Sequence, residues 1–250
     1  MKRFLIFTLT VLLLHSCTEL KEVTKTTRKA KYYISLNKVE LPSNSKEQFS
    51  EKIQKQRSSE GVYKYSFADE KISIYWSILN DEFAFTIHNK TNHALKINWD
   101  NVVFIKPDRT ISKMVHSGTK YSRINEGQVP TTIPGGTYLE DVLVPAENIT
   151  YMADNWITLP LLPNIFDSDH ELQKAKELES SELSIFLPIE IENVPNEYTF
   201  HFKIDKVETQ TKTDTRYTRQ PTVNSNYIAW GAVGGVVLAI AAYYVYLKTH

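Results

Sequence analysis

Residues 72–107 read ISIYWSILNDEFAFTIHNKTNHALKINWDNVVFIKP, and their rhythm decides the fold. Ile72, Ile74, Trp76 and Ile78 alternate with Ser73, Tyr75 and Ser77. After the turn residues Asn80-Asp81, Phe83, Phe85 and Ile87 alternate with Ala84, Thr86 and His88. Asn89-Lys90-Thr91-Asn92 supplies the next turn, and Leu95, Ile97 and Trp99 then alternate with Lys96 and Asn98. Residues 102–105 are continuously apolar and Pro107-Asp108 closes them. Successive side chains of a strand point to opposite faces, so a period of two marks half-buried strands.

The same rhythm returns further along the chain. Leu183, Ile185, Leu187, Ile189 and Ile191 share one face; the turn Asn193-Val194-Pro195-Asn196 leads to Tyr198, Phe200, Phe202 and Ile204 on another. Residues 32–39 and 62–67 add strands. Short strands at roughly 8–12-residue spacing, with turn residues between them, predict a mainly β chain built as an antiparallel β-sandwich. Two stretches depart from the pattern. Residues 45–57 place Phe49 and Ile53 four apart, with Ser45 and Gln48 as a capping box, and predict a short helix. Residues 169–178 predict a second, with Asp169 as cap and Leu172, Ala175 and Leu178 on one side.

The chain has 250 residues, 29 basic and 29 acidic, with 42% hydrophobic residues and one cysteine. That hydrophobic share excludes a disordered chain, and zero net charge excludes a globally basic nucleic-acid binder. One cysteine excludes an intrachain disulfide or a multi-cysteine metal site. The zero is a sum of unlike parts. Residues 33–207 carry 18 basic and 25 acidic side chains, residues 1–32 carry 7 and 2, and residues 208–250 carry 4 and 2. Basic flanks around an acidic domain suit anionic lipid headgroups.

The N-terminus is Met1-Lys2-Arg3, an apolar run over residues 4–14, then His15-Ser16-Cys17. A basic start, a short apolar run and a small residue before the cut are the parts of a secretory signal. Leu14-His15-Ser16-Cys17 resembles the lipobox of bacterial lipoproteins, with His15 where small or hydroxyl residues are commoner. The resemblance implies cleavage before Cys17 and lipidation of that residue, palmitate included. At the other end, residues 227–247 contain no charge until Lys248, and about 20 apolar residues cross a bilayer. Tyr227, Trp230, Tyr243, Tyr244 and Tyr246 fit interfacial belts, and Gly231 and Gly235 form a GxxxG face for helix–helix contact. Lys212, Arg216 and Arg219 precede this segment, so charge bias opposes the orientation that a cleaved signal dictates; the signal acts first during synthesis.

The expected organisation is a signal peptide at 1–16, a tether at 17–31, a β-sandwich at 32–207, a linker at 208–226, a transmembrane helix at 227–247 and a tail at 248–250. Within the domain, Val115-His116-Ser117-Gly118-Thr119-Lys120-Tyr121 is followed by a stretch from Gln128 to Thr137 and by Asp141-Val142-Leu143-Val144-Pro145. This resembles bacterial lipoproteins with an immunoglobulin-like domain. The resemblance implies that fold and carries no activity.

No catalytic constellation is specific. His88 and His93 flank one turn, but HExxH is absent, and Asp81 and Asp100 are not placed as further metal ligands. His116-Ser117 lacks a GxSxG elbow, and neighbours on a strand face opposite ways, which argues against a dyad. Asp167, Asp169 and Glu171 form an acidic cluster that helix capping explains. Phosphate-binding glycine motifs are absent. Trp76, Trp99 and Trp156 are expected in the core rather than as a sugar platform; Tyr75, Tyr121 and Tyr151 are candidates for an exposed surface. Asn89-Lys90-Thr91 and Asn148-Ile149-Thr150 match the glycosylation sequon. No metal and no cofactor is expected. The expected function is that of a membrane-anchored, extracytoplasmic β-sandwich lipoprotein, not an enzyme. It would be a binding, scaffold or accessory component of the cell envelope with a protein partner there and no nucleic acid, and Gly231 and Gly235 are its candidate face for a homo-oligomer. The alternative is a membrane-tethered ligand-binding protein or enzyme with a loop pocket near residues 116–137.

Overall fold

The computed structural model describes residues 18–221 apart from 44, 46, 51 and 58–62. In chain order the strands are β1 (Thr18–Glu40), β2 (Phe49–Ser50), β3 (Gln54–Arg57), β4 (Tyr63–Ala68), β5 (Ile72–Ile78), β6 (Phe83–Asn89), β7 (Leu95–Ile97), β8 (Val103–Ile105), β9 (Ile111–His116) and β10 (Thr131–Ile133). They continue with β11 (Tyr138–Pro145), β12 (Ile149–Met152), β13 (Asn155–Thr158) and β14 (Ile165–Phe166). Helix α1 (Asp169–Glu177) precedes β15 (Glu182–Ile191) and β16 (Val194–Pro221). Cys17, Gly231, Gly235 and the 227–247 segment lie outside the described residues. Among those described, no helix is long and apolar enough to cross a membrane.

The chain is mainly β, an antiparallel curled sheet with one α-helix among the described residues. The sheet runs β14-β1-β16-β15-β8-β9-β11-β6-β5-β4-β3. β9 makes the transition between its halves: Ile111, Ser112 and Lys113 pair with β8, while Met114, Val115 and His116 pair with β11. β7 and β8 lie in succession along β15, at residues 189–191 and 184–186. Between them a 3-10 turn (Trp99–Asn101) starts where the Asn98 side chain accepts from the Asp100 N–H at 3.2 Å.

The alternating residues form the core. Ile72, Ile74, Trp76, Phe83, Phe85 and Ile87 are buried, as are Leu183 to Ile191 on one face of β15 and Tyr198, Phe200, Phe202 and Ile204 on β16. The Trp76 ring lies 5.2 Å from Phe200 and 5.7 Å from Phe202, and Phe83 lies 5.4 Å from Phe202. These rings join β5 and β6 to β16. Each such side chain contributes about 1.5–3 kcal/mol by leaving water.

Three expectations change. The described residues of 45–57 are not helical: they hold β2 and β3, and Gln54–Arg57 pairs with β4. Two apolar residues four apart are a weak helical stripe, while β4 has an open edge whose backbone groups need partners. Lys55 adds cation–π contacts at 4.2 Å from Tyr63 and 5.5 Å from Tyr65. The second expected helix exists, but its cap is Ser168, which accepts from the Glu171 N–H at 3.2 Å. Residues 18–31 and 208–221, expected as a tether and part of a linker, are strand residues of β1 and β16. Thr209, Thr211, Thr213 and Thr215 are β-branched at period two and favour a pleated backbone without any apolar face.

Residues 27–211 form one compact unit. The outer ends of β1 and β16, residues 18–26 and 212–221, belong to another, in which the Thr26 and Thr213 hydroxyls lie 3.4 Å apart.

Candidate functional site

The last residue of β9, His116, and the turn that follows it face β11. Strand alternation ends at His116, so Ser117 is free to bend back, and the two side chains meet on one carboxylate instead of diverging. His116 Nδ1 lies 3.0 Å from Asp141 Oδ2; the Ser117 hydroxyl donates to Oδ1 at 2.6 Å and its N–H at 3.0 Å. The Val142 N–H adds a fourth bond at 2.7 Å. Burial alone would raise the Asp141 carboxyl, but the bonds from His116, Ser117 and Val142 outweigh it and hold it below the ordinary carboxylate value. The carboxylate is therefore ionised, and His116 Nδ1 lies between it and the Gly118 N–H, which is 3.2 Å away.

The imidazole is held on its other sides as well. Trp99 stacks on it at 4.5 Å and 11°. A Cβ at Gly118 would lie 2.3 Å from His116 Cε1, so only glycine fits against the ring. Gln128, buried in the loop after the turn, acts as a missing strand residue. Its amide donates to the Met114 carbonyl at 2.8 Å and accepts from the His116 N–H at 3.1 Å. Asp100 accepts from the Gln128 N–H at 3.2 Å and pairs with Lys113 at 2.8 Å.

Beside this cluster lies a depression of about 520 Å³. Its apolar floor is Val115, Val142 and Val144, and His116, Ser117, Thr119, Lys120, Ser122 and Glu82 supply its polar groups. Tyr121 and Trp156 complete the lining. Val115 and Val144 belong to a satellite core with Ile149, against which Tyr121 and Ile124 pack. Trp156 departs from its expected place in the core. Trp76 and Trp99 are fully buried, whereas Trp156 is 42% exposed on the β12–β13 hairpin. It sits opposite Tyr151, itself 58% exposed, with ring centroids 5.3 Å apart, and 6.4 Å from Tyr121 at 68°. The hairpin turns through Ala153 and Asp154, both at positive φ (49° and 62°). Its base is tied by Asn148, whose amide donates to the Pro160 carbonyl at 2.7 Å, and by Thr158, which donates to Asp81 at 2.7 Å.

Tyr75 lines a second depression, of about 370 Å³, with Lys64, Thr86 and Glu140. The two turn histidines are not brought together: His88 Nε2 lies 3.3 Å from the Gly136 carbonyl, and His93 Nδ1 lies 3.1 Å from Glu192. Asp81 and Asp100 serve the contacts above, and no group that could hold a metal is found among the described residues. The acidic cluster before α1 is occupied locally. Arg28 pairs with Asp169 at 2.6 Å, and Glu171 accepts from the Asp167 N–H at 3.1 Å. The Asn89 sequon is structural, since this buried amide donates to the His93 and Ile133 carbonyls at 2.8 and 2.9 Å.

Gln128, Glu82 and Trp156 were not singled out by the sequence as site residues. For Trp156 a signal existed: Asp154, a turn-forming residue, lies between Tyr151 and Trp156. Comparison with protein-family models, with curated proteins and with solved structures gives no significant match.

Proposed function

We propose that this chain is a membrane-anchored, extracytoplasmic lipoprotein that works by binding within the cell envelope. The depression beside His116 carries the binding part of this reading. Its polar cluster is satisfied internally, because Ser117 gives its proton to Asp141 and His116 Nδ1 faces the same carboxylate, so neither activates the other. Around it stand open rings and polar side chains, the usual furniture of a ligand cleft, and the volume lies within the ~300–1,000 Å³ of such clefts.

Anchoring rests on Cys17 in its lipobox and on the 227–247 segment. The β1–β16 ribbon supports attachment to a single membrane. Thr26 meets Thr213, and Tyr33 donates to Glu208 at 2.8 Å, so the strands run antiparallel. The parts of the two strands nearer the anchors, at Thr26 and Thr213, thus lie side by side, as attachment to one membrane asks. We also read the curled sheet as an immunoglobulin-like sandwich, supported by the rings of β5 and β6 that meet those of β16 and β8 across a shared core.

The test is fractionation and palmitate labelling of four chains: wild type, Cys17→Ala, a chain ending at residue 226, and the two combined. Label is expected on wild type and absent from Cys17→Ala. Both single variants should remain in the membrane and the double variant should leave it. A wild-type chain that is unlabelled and soluble overturns the anchored reading.

A further inference from the structure

We propose that the depression walled by Trp156 and Tyr121 is a saccharide-binding site. The inference rests on the binding reading above and names its ligand class. The carbon-bound hydrogens of a pyranose form a weakly positive face, which an aromatic ring's negative face attracts, while the ring's hydroxyls need hydrogen-bond partners at the edges. The depression supplies both. Trp156 and Tyr121 stand at 68° with centroids 6.4 Å apart, giving two walls of a corner, and Tyr151 extends the Trp156 wall outward. Glu82, Lys120, Thr119 and Ser122 ring the same space with acceptors and donors suited to hydroxyls.

The rings are set there at a cost. Ala153 and Asp154 both hold left-handed backbone without being glycine, and a left-handed conformation is unfavourable by about 1–2 kcal/mol per residue. The tryptophan and the tyrosine beside this turn, 42% and 58% exposed, are left open for contact. Charge narrows the ligand. Glu82 lies at the depression, Asp81 beside it and Asp154 at the hairpin tip. Lys120 offsets Glu82 in the lining, and with Asp81 and Asp154 nearby the surface offers no net positive charge to an anionic lipid or a nucleic-acid phosphate, which leaves a neutral or amino sugar as the matching ligand.

The test titrates full-length protein in detergent with chitotetraose, maltotetraose, cellotetraose and mannotetraose to millimolar concentration, read by calorimetry. Parallel arms use a random peptide library on beads and vesicles of phosphatidylglycerol and phosphatidylethanolamine, with the same variants. At least one oligosaccharide is expected to bind, and Trp156→Ala or Tyr121→Ala should weaken it at least about tenfold. Trp156→Phe should keep most of the affinity, and Tyr138→Ala, an exposed tyrosine outside the depression, should leave it unchanged. Thermal unfolding of each variant separates loss of binding from loss of fold. No saccharide binding, or binding indifferent to Trp156 in folded protein, overturns the proposal. Peptide or vesicle binding that needs Trp156, without saccharide binding, also overturns it while leaving the broader binding reading standing.

Discussion

Replacing Asp141 with alanine should unfold the domain more easily than its single, small side chain suggests. The carboxylate accepts from His116 Nδ1, the Val142 N–H and two donors of Ser117. Ser117 is exposed, so water replaces the acceptor for its donors. His116 is buried and Val142 half-buried, so their donors lose an ionised partner that water does not fully replace. A hydrogen bond to a charged group is worth about 1.5–3 kcal/mol, and losing two, less the relief of no longer burying a charge, amounts to ~3 kcal/mol. For a domain of this size that is a Tm loss of ~6–12 °C. Asp141→Asn should cost about half as much. His116 can move its proton to Nε2 and accept at Nδ1 from the new amide, and the Gly118 N–H already lies 3.2 Å from that atom. The two variants also separate by pH. The folded-state carboxyl is held low, so its stabilisation is complete above the unfolded value of about 4 and is lost as pH falls through the lower folded value. Urea unfolding by circular dichroism from about pH 3 to 7 should therefore show a steeper acid decline in wild type than in Asp141→Asn. A cost below ~1 kcal/mol for Asp141→Ala, or parallel acid limbs, would refute the four-bond account.

Trp76→Ala should cost ~3–5 kcal/mol in equilibrium unfolding, but Trp76→Phe less than ~1.5, because the buried Trp76 Nε1 has no hydrogen-bond partner among the described residues. Equal costs would mean that the indole nitrogen is satisfied after all. Gly118→Ala should destabilise by ~1–3 kcal/mol and shift the His116 ring resonances in NMR spectra, since the new Cβ meets Cε1 at 2.3 Å; unchanged resonances would sink this. Ala153→Gly should stabilise by ~0.5–1 kcal/mol through relief of the left-handed backbone, measured as a rise in Tm, and a fall would count against the turn conformation.

Which parts of this were legible follows from how far each signal reaches along the chain. The alternation in β5, β6, β15 and β16 is written in consecutive residues, because each strand has one face in the core. The change of partner within β9 is not. It depends on the chain leaving one partner close by, Ile105 beside Ile111, for another some thirty residues on, Pro145 beside Met114. Gln128 is the sharpest case at the site. Nothing near it in sequence distinguishes a solvated glutamine from one that completes the β9 ladder by lending its amide to Met114 and His116.

The threonine-rich ends carry a second lesson. A polar stretch predicts a tether because it offers no apolar face, yet burial and extension are separate properties. Burial requires apolar side chains; a strand requires only backbone partners and residues comfortable in a pleat. Thr209 to Thr215 satisfies the second condition without the first, and β1 supplies the partner. The expected tether and the expected core position of Trp156 have one origin. Composition reports location only loosely: hydroxyl residues point to a flexible tether and a tryptophan to the core. At the hairpin it is the local turn, Ala153-Asp154, that decides, by holding Tyr151 and Trp156 on a two-stranded sheet too small to bury them.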